Sequence, residues 1–315
     1  MSNREQRIPS LAELKREFIS IFKKLTIHRS FSEVWADFVD VSAIAIYQSV
    51  HFNEAWMPEQ VRQHTLPWTD YNTKLENDYL AKVGKYRKGE VELLKQLYHL
   101  TVQTVGFYQC DLLGTMYEEL EIASRSQMSA SGEFFTPVSV SRLMAELTLG
   151  NVKDILEQKG YITLTEPAAG SGRMIIAVVE QLYAMGYDPR QCLYVEAIDV
   201  NHSLYSTTFL QLAILDIPGK IYWGNTLSAK VWDVRETPQL MLSRMIWNRD
   251  PAFKMLKVLK ELEADSSSDE SGYSDETLSA SVEMDAIDPA AANDDTEDAK
   301  LPAYLAEGDG QMRLF

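Results

Sequence analysis

The stretch Thr165-Glu166-Pro167-Ala168-Ala169-Gly170-Ser171-Gly172 decides how the chain folds. Just before it, Tyr161-Ile162-Thr163-Leu164-Thr165 is short, β-branched and apolar, the pattern of a strand. Just after it, Arg173 to Met185 carries apolar residues at helical spacing and is closed by Gly186. A glycine-rich turn between strand and helix lets the backbone approach a ligand closely and offers the free N–H groups of the helix start to polar atoms. Many α/β folds need a tight turn at this point without any ligand, so the turn alone leaves both uses open.

Working outward toward the C-terminus, Leu193 to Ile198 reads as a second strand, His202 to Leu215 as a helix and Lys220-Ile221-Tyr222-Trp223 as a third strand. Short apolar strands alternating with amphipathic helices predict a parallel, Rossmann-like α/β sheet. Asp199 ends the second strand, where an acid can accept hydrogen bonds from both hydroxyls of a ribose. It could instead cap the following helix, which Asn201 could do equally well. Upstream lies Gly132-Glu133-Phe134-Phe135-Thr136-Pro137, where Thr136 followed by Pro137 predicts a helix start and Leu143, Met144 and Leu147 supply the helix's apolar face.

The section before residue 125 reads as helical. Ser10-x-x-Glu13 and Ser30-x-x-Glu33 are capping boxes, the first ahead of Leu14, Phe18, Ile21 and Phe22 and the second ahead of Val34, Trp35, Phe38 and Val39. Glu90 to Val105 and Cys110 to Ile122 have the same periodicity. Cys110 and Cys192 are the only cysteines and lack the spacing of a disulfide framework or zinc site, so both are expected to be buried, inert thiols with no metal.

The formal net charge of −16 is unevenly distributed. Residues 261–315 hold 16 acids and, as bases, only Lys300 and Arg313, leaving the preceding 260 residues nearly neutral with 30 acids against 28 bases. The acidity therefore belongs to a tail and does not exclude DNA binding by clustered bases in the body. Val41 to Val50, the best apolar run, falls short of the roughly 18 residues needed to span a bilayer. The start Met1-Ser2-Asn3-Arg4-Glu5 has no export signal, so a cytoplasmic location and no membrane partner are expected.

In this order the segments resemble the adenine-specific DNA methyltransferases of type I restriction-modification systems, the modification-subunit family. The resemblance rests on Gly132 to Pro137, Glu166 to Gly172, Asp199, Gly224-Asn225-Thr226-Leu227 and the preceding Asp111-Leu112-Leu113-Gly114-Thr115-Met116-Tyr117-Glu118. It implies S-adenosylmethionine as cofactor. Phe135, Thr136 and Pro137 would line the pocket, and Glu166, Pro167, Ala168, Gly170 and Gly172 would wrap the methionine part. Asp199 would hold the ribose, and Asn225 would sit beside the adenine. Glu166 stands where the family has Asp, and Asn225 likewise replaces an Asp.

The family's Asn/Asp-Pro-Pro-Phe/Tyr motif, which holds a flipped adenine, would align near Trp232 to Met241 and is absent there. Asp250-Pro251-Ala252-Phe253 keeps an acid, one proline and an aromatic. It also reads as a helix start, with Phe253, Leu256, Leu259 and Leu262 on the apolar side. The expected organisation is a helical N-terminal domain over 1–125 and a partial methyltransferase domain over 126–262, an incomplete sheet. A disordered acidic linker over 263–310 and a terminal peptide over 311–315 would follow.

That peptide, Gln311-Met312-Arg313-Leu314-Phe315, resembles the bacterial sliding-clamp-binding motif, with Gln311, Met312, Leu314 and Phe315 as the contact residues. An accidental apolar terminus is the alternative. The resemblance implies a protein that binds S-adenosylmethionine or DNA with lost or partner-dependent catalysis. An active DNA adenine methyltransferase, and an anti-restriction or restriction-modification partner protein, are the rivals.

Overall fold

The computed structural model describes residues 7–51, 69–120 and 136–240, together with the backbone at 299–300 and 312–313. Helices α1 (Leu11–Leu25), α2 (Phe31–His51), α3 (Thr69–Val83), α4 (Lys88–Tyr108) and α5 (Leu112–Glu119) come first, followed by α6 (Val138–Thr148) and α7 (Val152–Lys159). Then β1 (Ile162–Glu166), α8 (Arg173–Ala184), the short α9 (Pro189–Cys192), β2 (Leu193–Asp199), α10 (His202–Ile214) and β3 (Gly219–Asn225) alternate as the sequence pattern requires. The remaining strands are β4 (Lys230–Glu236), β5 (Ala299–Lys300) and β6 (Met312–Arg313). None of the described helices is long and apolar enough to cross a membrane.

The sheet order is β5-β4-β3-β2-β1-β6. β1, β2 and β3 run parallel, with Glu166 opposite Ala197 and Asp199 opposite Trp223, which brings their C-terminal ends to one edge of the molecule. This is where ligands sit in open α/β sheets. β4 is antiparallel to β3, and β6 lies parallel to β1 through Met312 and Arg313. The chain is thus of α/β class, with a helical layer ahead of the sheet.

Local chemistry explains most of the boundaries. Ser10 and Glu13 form the full reciprocal capping box of α1, whereas at α2 only the Ser30 hydroxyl accepts, from the Glu33 N–H. Phe18, Phe22, Trp35, Phe38 and Tyr117 pack mostly edge to face in the helical layer, with Phe18 stacked on Phe22. Their burial runs without a break through α10 into β2 and β3. Every residue of α10 from Leu204 to Ala213 is buried, because one side meets α2 and the other meets β2 and β3.

Several expectations are corrected. Lys230 to Glu236, which the strand–helix alternation does not announce, is a strand whose Arg235 is buried. Thr136-Pro137 does lead into a helix, α6 from Val138, with Pro137 at the cap position and no side-chain bond there. Leu143 and Leu147 are exposed, and α6 meets α8 instead through the small residues Ser141 and Ala145, which allow close approach. Cys192 is buried but Cys110 only half so, and burial pushes both thiols up to about 11. Phe135, the Asp250 to Phe253 segment, Gln311, Leu314 and Phe315 lie outside the described residues, as does the acidic linker except at Ala299–Lys300, where β5 stands in place of the expected disorder.

The two layers are pinned by a buried cation. Arg235 of β4, only 2% exposed, reaches Asp40 of α2 at 3.3 Å and lies 3.8 Å from Asp233, its guanidinium 5.1 Å above the Tyr205 ring. Tyr71 of α3 and Tyr205 of α10 both donate to Asp233, and Ser206 and Lys82 engage Asp40. Burial pushes the Asp40 carboxyl up, but Arg235, His202, Lys82 and the Ser206 hydroxyl together hold it below the usual carboxylate range. Removing one partner of such a group leaves an uncompensated buried charge, so Arg235→Met is expected to destabilise the protein by about 3–5 kcal/mol in urea unfolding. Adding Asp40→Asn should recover part of that loss; an unchanged midpoint in the single variant would show that the pair does not fasten the layers.

Candidate functional site

Every element of the strand-end site is held by identifiable bonds. The turn after β1 begins with the Ala168 N–H donating to Glu166 Oε1 (3.1 Å) and the Ala169 N–H donating to the Ile198 carbonyl of β2 (2.9 Å). The Gly170 N–H donates to Asp199 Oδ2 at 2.7 Å. From α10, the Thr208 hydroxyl donates to the Gly170 carbonyl and Gln211 Nε2 to the Ser171 carbonyl, both at 2.8 Å. From beyond β3, the Thr226 hydroxyl donates to the Pro167 carbonyl at 2.6 Å. A turn gripped from three directions presents its backbone in one shape before any ligand arrives, which lowers the entropic cost of binding.

Two glycines are required by this shape. Gly170 and Gly172 have φ of +57° and +88°, a region that side-chain-bearing residues adopt at a cost. At Gly172 a Cβ would also press on Thr208, at 3.3 Å from its methyl, whereas at Gly170 it would meet none of the described residues within 4 Å. Gly170 is therefore the point where the turn faces open space.

Asp199 is not the cap of α10. Asn201 fills that position, its side-chain oxygen accepting from the Ser203 and Leu204 N–H groups. The Asp199 oxygens take the Gly170 and Asn201 N–H groups. Asn225 Oδ1 likewise accepts from the Leu227 and Ser228 N–H groups in a tight turn, so what Asn225 has left to offer is its amide NH2. Beside these two polar residues stand exposed apolar ones, Val200 at 59% and Leu227 at 100%.

Glu166 and Asp199 place two carboxyl groups at the ends of adjacent parallel strands. Glu166 is 1% exposed, and its Oε2 is buried with no hydrogen-bond partner among the described residues. Burial, together with the Asp199 charge and against the Ala168 N–H bond, pushes the Glu166 carboxyl up to about 7. The turn is therefore lined by acid, not by the net positive field that a pyrophosphate would want.

The structure brings Glu166, Pro167, Ala168, Gly170, Gly172, Asp199 and Asn225 to one strand-end edge, and Thr136 is tied to it through a bond from Arg173 to its carbonyl (3.0 Å). Arg173, Asp111, Thr208 and Gln211 escaped prediction as site residues. Thr208 and Gln211 are polar and lie one turn apart on α10, but Ser203, Ser206 and Thr207 on the same helix blur that signal.

The sequence model of the N-6 DNA methylase family matches residues 108–272. The methylase subunit of the type I restriction enzyme MpnII from Mycoplasma pneumoniae (strain ATCC 29342 / M129) is 25% identical over 146 residues, 45% of this chain and 25% of that protein. The matched stretch thus spans only a quarter of that relative's length. A crystal structure of the type I restriction-modification system methyltransferase subunit from Streptococcus thermophilus aligns over 66% of this chain and 56% of its own, at 13% identity and a TM-score of 0.35. The family match covers more than half of the 315 residues and takes in the glycine turn and all three strand ends, and the protein belongs to the N-6 DNA methylase family.

Proposed function

We propose that this chain binds S-adenosylmethionine at the ends of β1, β2 and β3 and acts on DNA as a methyltransferase-family protein whose transfer step is lost or depends on a partner subunit. The observation that carries this is the Glu166–Asp199 carboxylate pair flanking a turn of fixed shape. S-adenosylmethionine brings a sulfonium and an ammonium, which the Asp199 carboxylate attracts and which would favour ionisation of the buried Glu166 beside it, whereas a dinucleotide brings a pyrophosphate, which Asp199 repels. Phe135, Thr136 and Pro137 would form the lip, and Pro167, Ala168, Gly170 and Gly172 would follow the methionine part. Asp199 would accept from the ribose hydroxyls and the Asn225 NH2 would meet an acceptor of the adenine ring. Val200 and Leu227 are suited to flank that ring. Once bound, the cofactor supplies the electrophilic methyl group.

The transfer step is the weaker part of the site. No Asn/Asp-Pro-Pro-aromatic run occurs in the 315 residues, and Asp250-Pro251-Ala252-Phe253 is its only partial substitute. A base held for N-methylation needs an aromatic stacking face and acceptors for its amino group. Under this proposal the chain contributes cofactor and DNA contacts, and a restriction-modification subunit contributes the rest.

Titration of S-adenosylmethionine into the full chain is expected to give binding heat that Gly170→Arg abolishes, because the new side chain enters the open face at a positive φ. No heat from the wild type would refute the cofactor assignment. Labelled methyl transfer to unmethylated DNA should be absent or weak for the chain alone; robust incorporation would instead establish an autonomous enzyme.

A pH test bears on Glu166 itself. Its folded value near 7 lies above the ordinary 4.5, so the native state holds the extra proton between the two. Stability from this group is complete below about pH 4.5 and is lost as pH rises through about 7, an effect of up to about 3 kcal/mol. Glu166→Gln should therefore melt higher than wild type at pH 8 and close to it at pH 5. Equal differences at both values would dismiss the buried-acid assignment.

For the C-terminus we propose sliding-clamp binding through Gln311, Met312, Leu314 and Phe315. Met312 and Arg313 pair with β1, so the clamp would compete with the sheet edge for them. Deleting 311–315 should abolish capture of the chain on immobilised clamp, and undiminished capture would remove the idea.

A further inference from the structure

Arg173 occupies the first position of α8, immediately behind Gly172, and is almost fully enclosed. Its Nε donates to Asp111 Oδ2 at 2.7 Å, and its Nη1 donates to Glu118 Oε1 at 2.7 Å and to the Thr136 carbonyl at 3.0 Å. One guanidinium thus joins three stretches that are far apart in sequence: the 111–118 segment, the Thr136–Pro137 lip and the turn after β1. The 111–118 segment is locked against the turn by further contacts. Asp111 caps α5 through the Gly114 N–H and accepts from Gln211 Nε2, the same group that donates to the Ser171 carbonyl. A Cβ at Gly114 would overlap both the Ser171 hydroxyl and the Asp111 carboxylate, so α5 and the turn are already in contact there.

A buried ion pair is a poor device for stability alone, because desolvating its charges offsets most of the attraction. Arg173 shows this cost directly, since its Nη2 is buried with no partner among the described residues. What the arrangement does provide is direction: two carboxylates fix the guanidinium plane, and the plane fixes the Thr136 carbonyl relative to Gly172. The ribose and adenine end is fastened differently, by the bonds of Asp199 to the Gly170 N–H and of Thr226 to the Pro167 carbonyl.

We propose that Arg173 is a positioning residue of the cofactor site, setting the lip at Thr136 against the turn after β1 so that the amino-acid end of S-adenosylmethionine is gripped between them. This rests on the cofactor assignment made above. Arg173 need not touch the ligand; it acts through the two segments it joins, and Asp111 and Glu118 act through it.

The test separates the two ends of the ligand. The full-length wild type, Arg173→Gln and Arg173→Lys are titrated with S-adenosylmethionine, S-adenosylhomocysteine and 5′-methylthioadenosine, which lacks the amino-acid part. Arg173→Gln is expected to lose about tenfold or more in affinity for the first two, the scale of a loosened supporting shell, with methylthioadenosine changed by less than about twofold. Arg173→Lys keeps the charge but not the fork, and should recover only part of the loss. Equal losses for all three ligands would mark general loosening and overturn the proposal, as would unchanged binding of S-adenosylmethionine. If Arg173→Gln does not fold, Glu118→Gln removes one of the two ion pairs at a partly exposed carboxylate and should show the same ligand pattern at smaller size; its absence there would equally overturn the proposal. A wild type that binds none of the three ligands defeats the cofactor assignment and this inference with it, whereas a binding wild type with indifferent variants defeats this inference alone.

Discussion

The buried guanidinium of Arg235 is the constraint on which the rest of the architecture depends. A sheet whose β4 carries a positive charge into the interior needs counter-charge, and the helical layer supplies it as Asp40 of α2, while the Tyr71 hydroxyl of α3 donates to Asp233 beside the cation. Apolar packing is tolerant of small slides between layers, but a buried ion pair is not, because a shift of an ångström leaves charge unsolvated. The helices before residue 120 are therefore fixed in register with the sheet as well as packed upon it.

Between these layers α10 serves two masters. Its Tyr205 and Ser206 face the Arg235 network, while Thr208 and Gln211 hold the carbonyls of the turn after β1. A second buried arginine, Arg173, does on the other side of that turn what Arg235 does at the layer seam. The strand-end site thus takes its shape from two separately neutralised cations and one helix, and little of that shape comes from the turn's own sequence beyond its glycines.

The legible parts of the fold were those whose signal is local. A turn that needs positive φ at Gly170 and Gly172 must show glycine there, and a strand buried along its whole length, as β2 is, must be largely apolar, Glu196 and the terminal Asp199 aside. Asp199 and Asn225 were legible as strand-end polar residues, though their turn-holding bonds were not. What escaped depends on partners distant in sequence. β4 resembles an exposed segment because Asp233 and Arg235 look like surface charges until Asp40, 195 residues from Arg235, is seen to pair with Arg235, and the Tyr71 and Tyr205 hydroxyls to donate to Asp233. Arg173 reads as an ordinary first-turn residue for the same reason. The α6 face was misjudged because bulk suggested burial, whereas a close helix crossing selects Ser141 and Ala145 and leaves Leu143 and Leu147 outside.

The enclosure of α10 has a bearing on motion. Over Leu204–Ala213 the helix has no solvent-facing side, so those amides are expected to exchange only when the helical layer and the sheet separate, while the half-exposed His202, Ser203 and Ile214 leave the helix ends open to water. The turn that hangs from Thr208 and Gln211 inherits that behaviour. It is expected to be among the last parts of the molecule to open, and the strand-end edge is a fixed shelf.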